Sequence, residues 1–244
     1  MAKSKVPVPG TKKSGNSSLV GTSSPAELAV FLESARKLDP RSGGRLIFAL
    51  DATMSRQPAW DRAMQHQAAM FDAVARIGTL AVQLVYFRGF GECRASRWVL
   101  DGGSLGALMT GIECRGGMTQ IAKVLSHGIK ENARAKVAAL VFIGDAVEED
   151  VDRLCHLAGE LAVSGTRIFL FQDGHDSVAE KAFREMARLS RGAWFRLGDS
   201  SAGDLAELLS VIAVYASGGR DALVQDKSRA SRLLLEQMNR RGGS

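Results

Sequence analysis

Residues 45–55 constrain the fold of this 244-residue chain more than any other stretch. Residues 46–50 are all apolar, they follow the glycine pair 43–44, and they end in the acid Asp51. A short apolar run without polar alternation is typical of a strand that is buried on both faces of a parallel sheet. We therefore expect Asp51 at the carboxyl end of a central strand, the edge at which α/β sheets bind ligands.

Strands and helices are predicted to alternate along the chain. The strand patterns lie at 45–50, 80–87, 95–100, 138–143, 167–171 and 193–197. The helical patterns lie at 24–39, 59–77, 104–112, 119–132, 149–163, 177–189 and 202–216. This alternation predicts an α/β fold: a Rossmann-like, doubly wound, mostly parallel six-stranded sheet with helices on both faces. The polar alternation of 95–100 is typical of an edge strand.

Charge and composition divide the chain into three parts. Residues 1–22 contain four lysines, no acid and no apolar period, which predicts a disordered basic tail. Residues 23–217 form the predicted domain, including its N-terminal helix. Residues 218–244 are a basic C-terminal helix or tail, in which 221–239 is either a further helix or a partner-binding segment. The net charge of +6 belongs to the two ends, and no nucleic-acid-binding motif accompanies it, so a nucleic-acid partner is not expected.

The apolar runs and the cysteines indicate a cellular location. No apolar run approaches the roughly 18 residues of a membrane helix. The basic N-terminus lacks the apolar region of a secretory signal. Cys93, Cys114 and Cys155 are odd in number and include no CxxC pair, which favours neither a zinc site nor a disulfide framework. We expect a cytoplasmic protein that does not contact membranes.

Oxygen-bearing side chains follow two neighbouring strands of the predicted sheet. Asp51, Thr53 and Ser55 come after the first strand, and Asp145 comes after the fourth. Thr119 follows the Gly116-Gly117 pair at the start of a helix. Strands one and four are neighbours at the switch point of a doubly wound sheet, so their carboxyl ends would meet. Carboxylates and hydroxyls are oxygen ligands of the kind that Mg²⁺ prefers.

This pattern resembles the metal-ion-dependent adhesion site (MIDAS) of the von Willebrand factor A (VWA) domain family. The family pattern is Asp-x-Ser-x-Ser, a Thr after a glycine-rich loop and an Asp after the fourth strand. Its positions match those of Asp51, Thr53, Ser55, Thr119 and Asp145 over about residues 43–217. Two departures are the threonine in place of the first serine, which keeps the hydroxyl, and a methionine between the glycine pair and the loop threonine.

The resemblance implies a mechanism. Hydroxyls would ligate Mg²⁺ directly, with Mn²⁺ or Ca²⁺ as alternatives, and the two aspartates would act largely through water. One coordination position would stay open for a Glu or Asp of a partner protein. The resemblance thus implies a protein-binding module that is not an enzyme, a cytosolic scaffold or assembly factor whose partner belongs, by family association, to a chaperone or ATPase system.

Each of these residues also has a structural interpretation. Asp51 and Asp145 could be turn acids, Ser55 could cap the next helix, and Thr119 is a natural N-cap. Residues 148–150 are three acids, which we interpret as the first turn of a helix rather than as a second cation site. Arg56 and Arg115, beside the metal loops, would either attract an acidic ligand or remain solvated.

Three other functions compete with this hypothesis. An apolar strand that ends in Asp is also found in phosphoryl-transfer enzymes of the haloacid dehalogenase type, but that chemistry needs a second Asp where Thr53 stands. A dinucleotide-binding enzyme would need a G-x-G-x-x-G motif after the first strand, which is missing. A nucleic-acid role through the basic ends would appear as strongly salt-dependent binding.

Overall fold

The apolar runs of the sequence pair with one another in a six-stranded sheet. A computed structural model describes residues 44–53, 80–197 and 202–239. The strands are β1 (Arg45–Asp51), β2 (Ala81–Arg88), β3 (Glu92–Val99), β4 (Ala139–Gly144), β5 (Arg167–Asp173) and β6 (Ala193–Leu197). The described helices are α1 (Gly102–Thr110), α2 (Ile121–Arg134), α3 (Val151–Val163), α4 (Ser177–Ser190), α5 (Ala202–Gln225) and α6 (Arg229–Asn239).

The order of the strands brings the two acidic strand ends together. The order is β3-β2-β1-β4-β5-β6, and every neighbouring pair is parallel except β2 and β3, which form an antiparallel hairpin. The predicted fold class is therefore confirmed, and β3 is the predicted edge strand. Leu50 of β1 pairs with Ile143 of β4, so Asp51 and Asp145 follow at the same edge of the sheet.

Alternate residues of the strands face two separate apolar cores. Phe48 and Leu50 of β1 pack in the core that contains side chains of α1, α5 and α6. Ile47 and Ala49 pack in the core that contains side chains of α2, α3 and α4. Helices therefore cover both faces, and this burial explains why the sequences of β1 and β4 are continuous apolar runs.

The C-terminal segment packs on the same domain. α5 is interrupted at Gly219, whose φ is +69°, beside the point at which the sequence predicts a helix end. Beyond this kink Leu223, and then Ala230 and Leu234 of α6, are buried in the core that contains Phe48. The segment 221–239, predicted to be either a further helix or a partner-binding segment, contains the end of α5 at Gln225 and the helix α6.

Several predicted segments lie outside the described residues. They are the tail 1–22, the helices at 24–39 and 59–77, and the positions of Ser55 and Arg56. Within the described part of the chain, none of the helices is both long enough and apolar enough to cross a membrane.

Candidate metal centre

The first part of the candidate site is a turn that follows β1. The backbone N–H of Thr53 donates to Asp51 Oδ1 at 2.8 Å, so the carboxylate closes a tight turn over the intervening alanine. The N–H of that alanine, Ala52, donates to the carbonyl of Phe87, which extends the parallel pairing with β2 by one residue. Asp51 and Thr53 are buried, with exposed fractions of 1% and 6%. This turn therefore holds a carboxylate and a hydroxyl side chain that are both largely shielded from solvent.

The second part of the site is the end of β4. A Cβ atom placed on Gly144 would lie 3.7 Å from Asp51 Cβ, so the two strand ends are in side-chain contact range. The same Cβ would lie 2.7 Å from Cε1 of the buried Phe142, which explains why glycine occupies this position. Asp145 follows directly and is half-buried. Its Oδ1 is shielded from solvent and has no hydrogen-bond partner among the described residues.

The third part is the loop that precedes α2, and it is attached to both β1 and the β2–β3 hairpin. The N–H of Arg115 donates to the carbonyl of Ala52 at 3.0 Å, and Arg115 forms an isolated parallel bridge with Thr53. Gly117 lies so close to the hairpin that an added Cβ would be 2.1 Å from the carbonyl oxygen of Gly89. The N–H of Met118 donates to the same oxygen at 3.3 Å. The extra methionine of this loop, Met118, has an exposed side chain.

Two glutamates of the β4–α3 loop attach the Thr119 loop to the end of β4. The N–H of Thr119 donates to Glu148 Oε2 at 2.8 Å, and Thr119 Oγ1 accepts from the N–H of Glu148 at 3.0 Å. The carboxylate of Glu149 accepts from the N–H groups of Ile121 and Ala122 in the first turn of α2. The loop that carries Asp145 thus makes two hydrogen bonds with Thr119 and two with the first turn of α2.

These contacts correct two sequence-based interpretations. Thr119 is not the N-cap of α2: Gln120 occupies that position without a side-chain cap, and Glu149 binds the free N–H groups instead. Nor do residues 148–150 all lie in the first turn of their own helix. Asp150 is the N-cap of α3 and accepts from the N–H of Arg153, while the two glutamates before it contact the neighbouring loop.

The structure brings four of the five predicted ligand residues to one edge of the sheet. Asp51, Thr53, Thr119 and Asp145 lie at neighbouring loops, and Ser55 lies outside the described residues. The described part of the chain contains no cluster of three His, Cys, Asp or Glu side chains of the kind that holds a metal ion. The candidate site is instead two carboxylates with two hydroxyls.

This donor set fits a hard divalent cation. All four side chains offer oxygen, which Mg²⁺ and Ca²⁺ prefer. Thr119 Oγ1 uses one lone pair for the N–H of Glu148 and keeps a second for another partner. Asp145 Oδ1 is a buried charged acceptor that receives no hydrogen bond from the described residues, and buried charges are normally paired or bound to metal ions.

Sequence reasoning missed the residues that position the site. In the sequence, Glu149 is visible only as an acid shortly after a predicted strand end. That pattern does not reveal which helix N-terminus its carboxylate contacts. The signal for Gly117 was stronger, because a glycine beside a predicted ligand indicates close backbone approach. Its contact, Gly89, lies 28 positions away in the sequence and is visible only in the fold.

We predict that Gly117→Ala destabilises the protein and that Gly116→Ala does not. The first substitution places a methyl group against the backbone of Gly89, whereas no atom lies within 4 Å of a Cβ at Gly116. Overpacking of this kind costs about 1–3 kcal/mol of unfolding free energy, and an unhindered glycine-to-alanine change stays within about 1 kcal/mol of wild type. Urea unfolding of the two variants measures the difference. Equal stability would show that the loop does not contact the hairpin as described.

We also predict that Glu149→Gln loosens the start of α2. The amide keeps one acceptor but turns an NH₂ group towards a backbone N–H and removes the charge that favours a helix N-terminus, a loss of about 1–2 kcal/mol. Hydrogen exchange at Ile121 and Ala122 should accelerate. Glu160→Gln, an exposed position on α3, is the matched control and should leave both amides as in wild type. Unchanged exchange in Glu149→Gln would remove this residue from the site's framework.

The sequence itself matches no family model and no curated protein. Solved structures match its fold. A von Willebrand factor type A protein from Catenulispora acidiphila has a TM-score of 0.58 and 14% identity over 72% of this chain and 43% of that one. The von Willebrand factor domain of the type V pili tip protein Mfa5 from Porphyromonas gingivalis has a TM-score of 0.58 and 9% identity, covering 69% of this chain and 93% of that one.

A third structure is described with a metal in the corresponding motif. Proximal thread matrix protein 1 from the mussel byssus, with a zinc-occupied MIDAS motif, has a TM-score of 0.52 and 16% identity over 70% of this chain and 46% of that protein. The present chain thus spans less than half the length of the Catenulispora and mussel proteins. Together with the strand order and the position of the acidic strand ends, these similarities show that the chain has the von Willebrand factor A fold.

Proposed function

We propose that this chain is a metal-dependent protein-interaction module. A divalent cation, Mg²⁺ by preference, would be held by Asp51, Thr53, Thr119 and Asp145, with Ser55 as a fifth ligand. A partner protein would supply a Glu or Asp to the same ion. The chain would act as a cytosolic scaffold or assembly factor, and the partner would belong to a chaperone or ATPase system.

One observation carries this proposal. The residues that carry two carboxylates and two hydroxyls lie on three adjoining segments at the carboxyl edge of the sheet. One of the carboxylate oxygens, Asp145 Oδ1, is buried without a hydrogen-bond donor among the described residues. A buried anionic oxygen is costly unless a cation or a donor is supplied. The zinc in the corresponding motif of the mussel byssus protein supports a divalent ion at this position.

The charge of the site favours an acidic partner. Asp51 and Asp145 together neutralise a divalent ion, and the threonine hydroxyls add ligands without charge. When bound, the ion would supply Lewis-acid attraction for one further carboxylate. The two aspartates and two threonines would hold the ion, and a carboxylate of the partner would complete its coordination shell.

The same side chains argue against an enzymatic function for this chain. A phosphoryl-transfer enzyme of the haloacid dehalogenase type needs a general acid two residues after Asp51, and the buried hydroxyl of Thr53 does not fill that role. Two of the similar structures are described as a pilus tip protein and a byssus matrix protein. Neither description names an enzymatic activity, which is in line with a binding role for this chain.

We predict that the wild-type chain binds Mg²⁺ and that Asp51→Asn weakens this binding at least about tenfold, a change of about 1.4 kcal/mol. Asparagine keeps the acceptor for the N–H of Thr53, so the turn should persist while one anionic ligand is lost. Isothermal titration calorimetry measures the affinity. Asp152→Asn, at an exposed position of α3, is the control and should bind as wild type.

The partner is tested with the same variants. Affinity capture from the source cell's lysate in Mg²⁺ should retain proteins that EDTA releases and that Asp51→Asn does not capture. A partner that binds equally in EDTA and to the variant would move the interaction to another surface. Mg²⁺ affinity that is equal in wild type and Asp51→Asn would overturn the assignment of the site.

A further inference from the structure

Two large apolar side chains lie exposed beside the candidate metal centre. Phe90, in the turn of the β2–β3 hairpin, has an exposed fraction of 86%, and Met118, next to Thr119 in sequence, has 49%. Their backbones adjoin, because Gly117 packs against Gly89 and the N–H of Met118 donates to the carbonyl of Gly89. Exposed apolar groups that cluster beside a candidate site are typical of an interaction surface.

The segments that carry these side chains are held firmly. Gln120 Nε2 donates to the carbonyls of Arg88 and Gly89, each at 3.2 Å. Lys123 Nζ donates to the carbonyl of Gly91 at 2.9 Å. Both sides of the hairpin turn are therefore attached to α2 and to the residue before it. A preorganised apolar surface loses little conformational entropy when a partner binds.

Charged side chains lie around Phe90. Arg88 and Arg94 form ion pairs with Glu92 at 3.0 and 3.7 Å. The hydrogen bond and charge of Arg88, and then the charges of Arg115 and Arg94, hold the pKa of Glu92 below its usual value. Arg115 is exposed and forms no ion pair among the described residues, so its charge is available to an acidic ligand.

We infer that a docking rim lies beside the metal centre and consists of Phe90, Met118, Arg94 and Arg115. The rim binds a peptide segment that carries an acidic residue, which reaches the metal centre, and an apolar side chain near that acid. This inference rests on the proposed function and names the chemistry of its partner. The rim favours a peptide over a nucleic acid because Arg88 and Arg94 pair with Glu92, and Lys123 donates to a backbone carbonyl. Arg115 remains, and one arginine is too few for the row of cations that a nucleic-acid strand needs.

The test uses displayed peptides rather than an unidentified partner. A library of random 12-residue peptides with one fixed central Glu is selected against the full chain in Mg²⁺. Enriched peptides should carry an apolar residue at a constant distance from the Glu. Their affinity should fall at least about tenfold for Phe90→Ser/Met118→Ser, whereas Mg²⁺ affinity measured by calorimetry should stay unchanged. Val163→Ser, at a position that is 92% exposed at the end of α3, is the control and should bind like wild type.

The possible results separate this inference from the proposed function. Peptides that need Mg²⁺ but bind the double variant as well as wild type would overturn the rim and leave the metal centre standing. Peptides that need Phe90 and Met118 but bind equally in EDTA would support the apolar rim and contradict the metal-dependent function. Failure to enrich peptides would overturn the rim. Binding of oligothymidylate that the double variant loses would also overturn the rim. Self-association of the chain, measured by sedimentation and lost in the double variant, would overturn it as well.

Discussion

The parallel pairing of β1 with β4 is the constraint on which the candidate centre depends. Leu50 lies opposite Ile143, so the two strands end at the same level of the sheet and Asp51 lies beside Gly144. The two strands are buried on both faces, which fixes their register strongly because a shift by one residue would exchange the sides of all their apolar side chains. The packing of the two cores thus fixes the relative position of the strand ends at which the two aspartates lie.

The third segment of the centre is held by polar contacts instead. Glu148 and Glu149 bind backbone N–H groups around Thr119 and at the start of α2, and the Gly117–Gly89 contact fixes the other end of the loop. This framework uses Asp51 Oδ1 and one lone pair of Thr119 Oγ1 as hydrogen-bond acceptors. It leaves the second lone pair of Thr119 Oγ1 and the buried Asp145 Oδ1 as acceptors for a cation.

The sequence predicted the sheet, and the positions of Asp51 and Asp145 at its carboxyl edge, for a clear physical reason. Apolar runs such as 138–143 leave few possibilities other than buried strands, and a polar residue that follows such a run must lie at a strand end. The cap of α2 and the exposure of Phe90 were not predictable in this way. Glu149 reaches N–H groups 27 and 28 residues away, and the exposure of Phe90 follows from a hairpin turn held from α2, so both depend on which loops meet in three dimensions.

The most direct test of the account is crystallographic. Crystals of the full chain soaked in Mn²⁺, which substitutes for Mg²⁺ and scatters anomalously, should show one anomalous peak bounded by Asp51, Thr53, Thr119 and Asp145. The peak should be absent from crystals of Asp51→Asn that are soaked identically. A peak at the Glu148–Glu149 pair instead, or no peak at the carboxyl ends of β1 and β4, would contradict the central claim that these side chains bind one divalent cation.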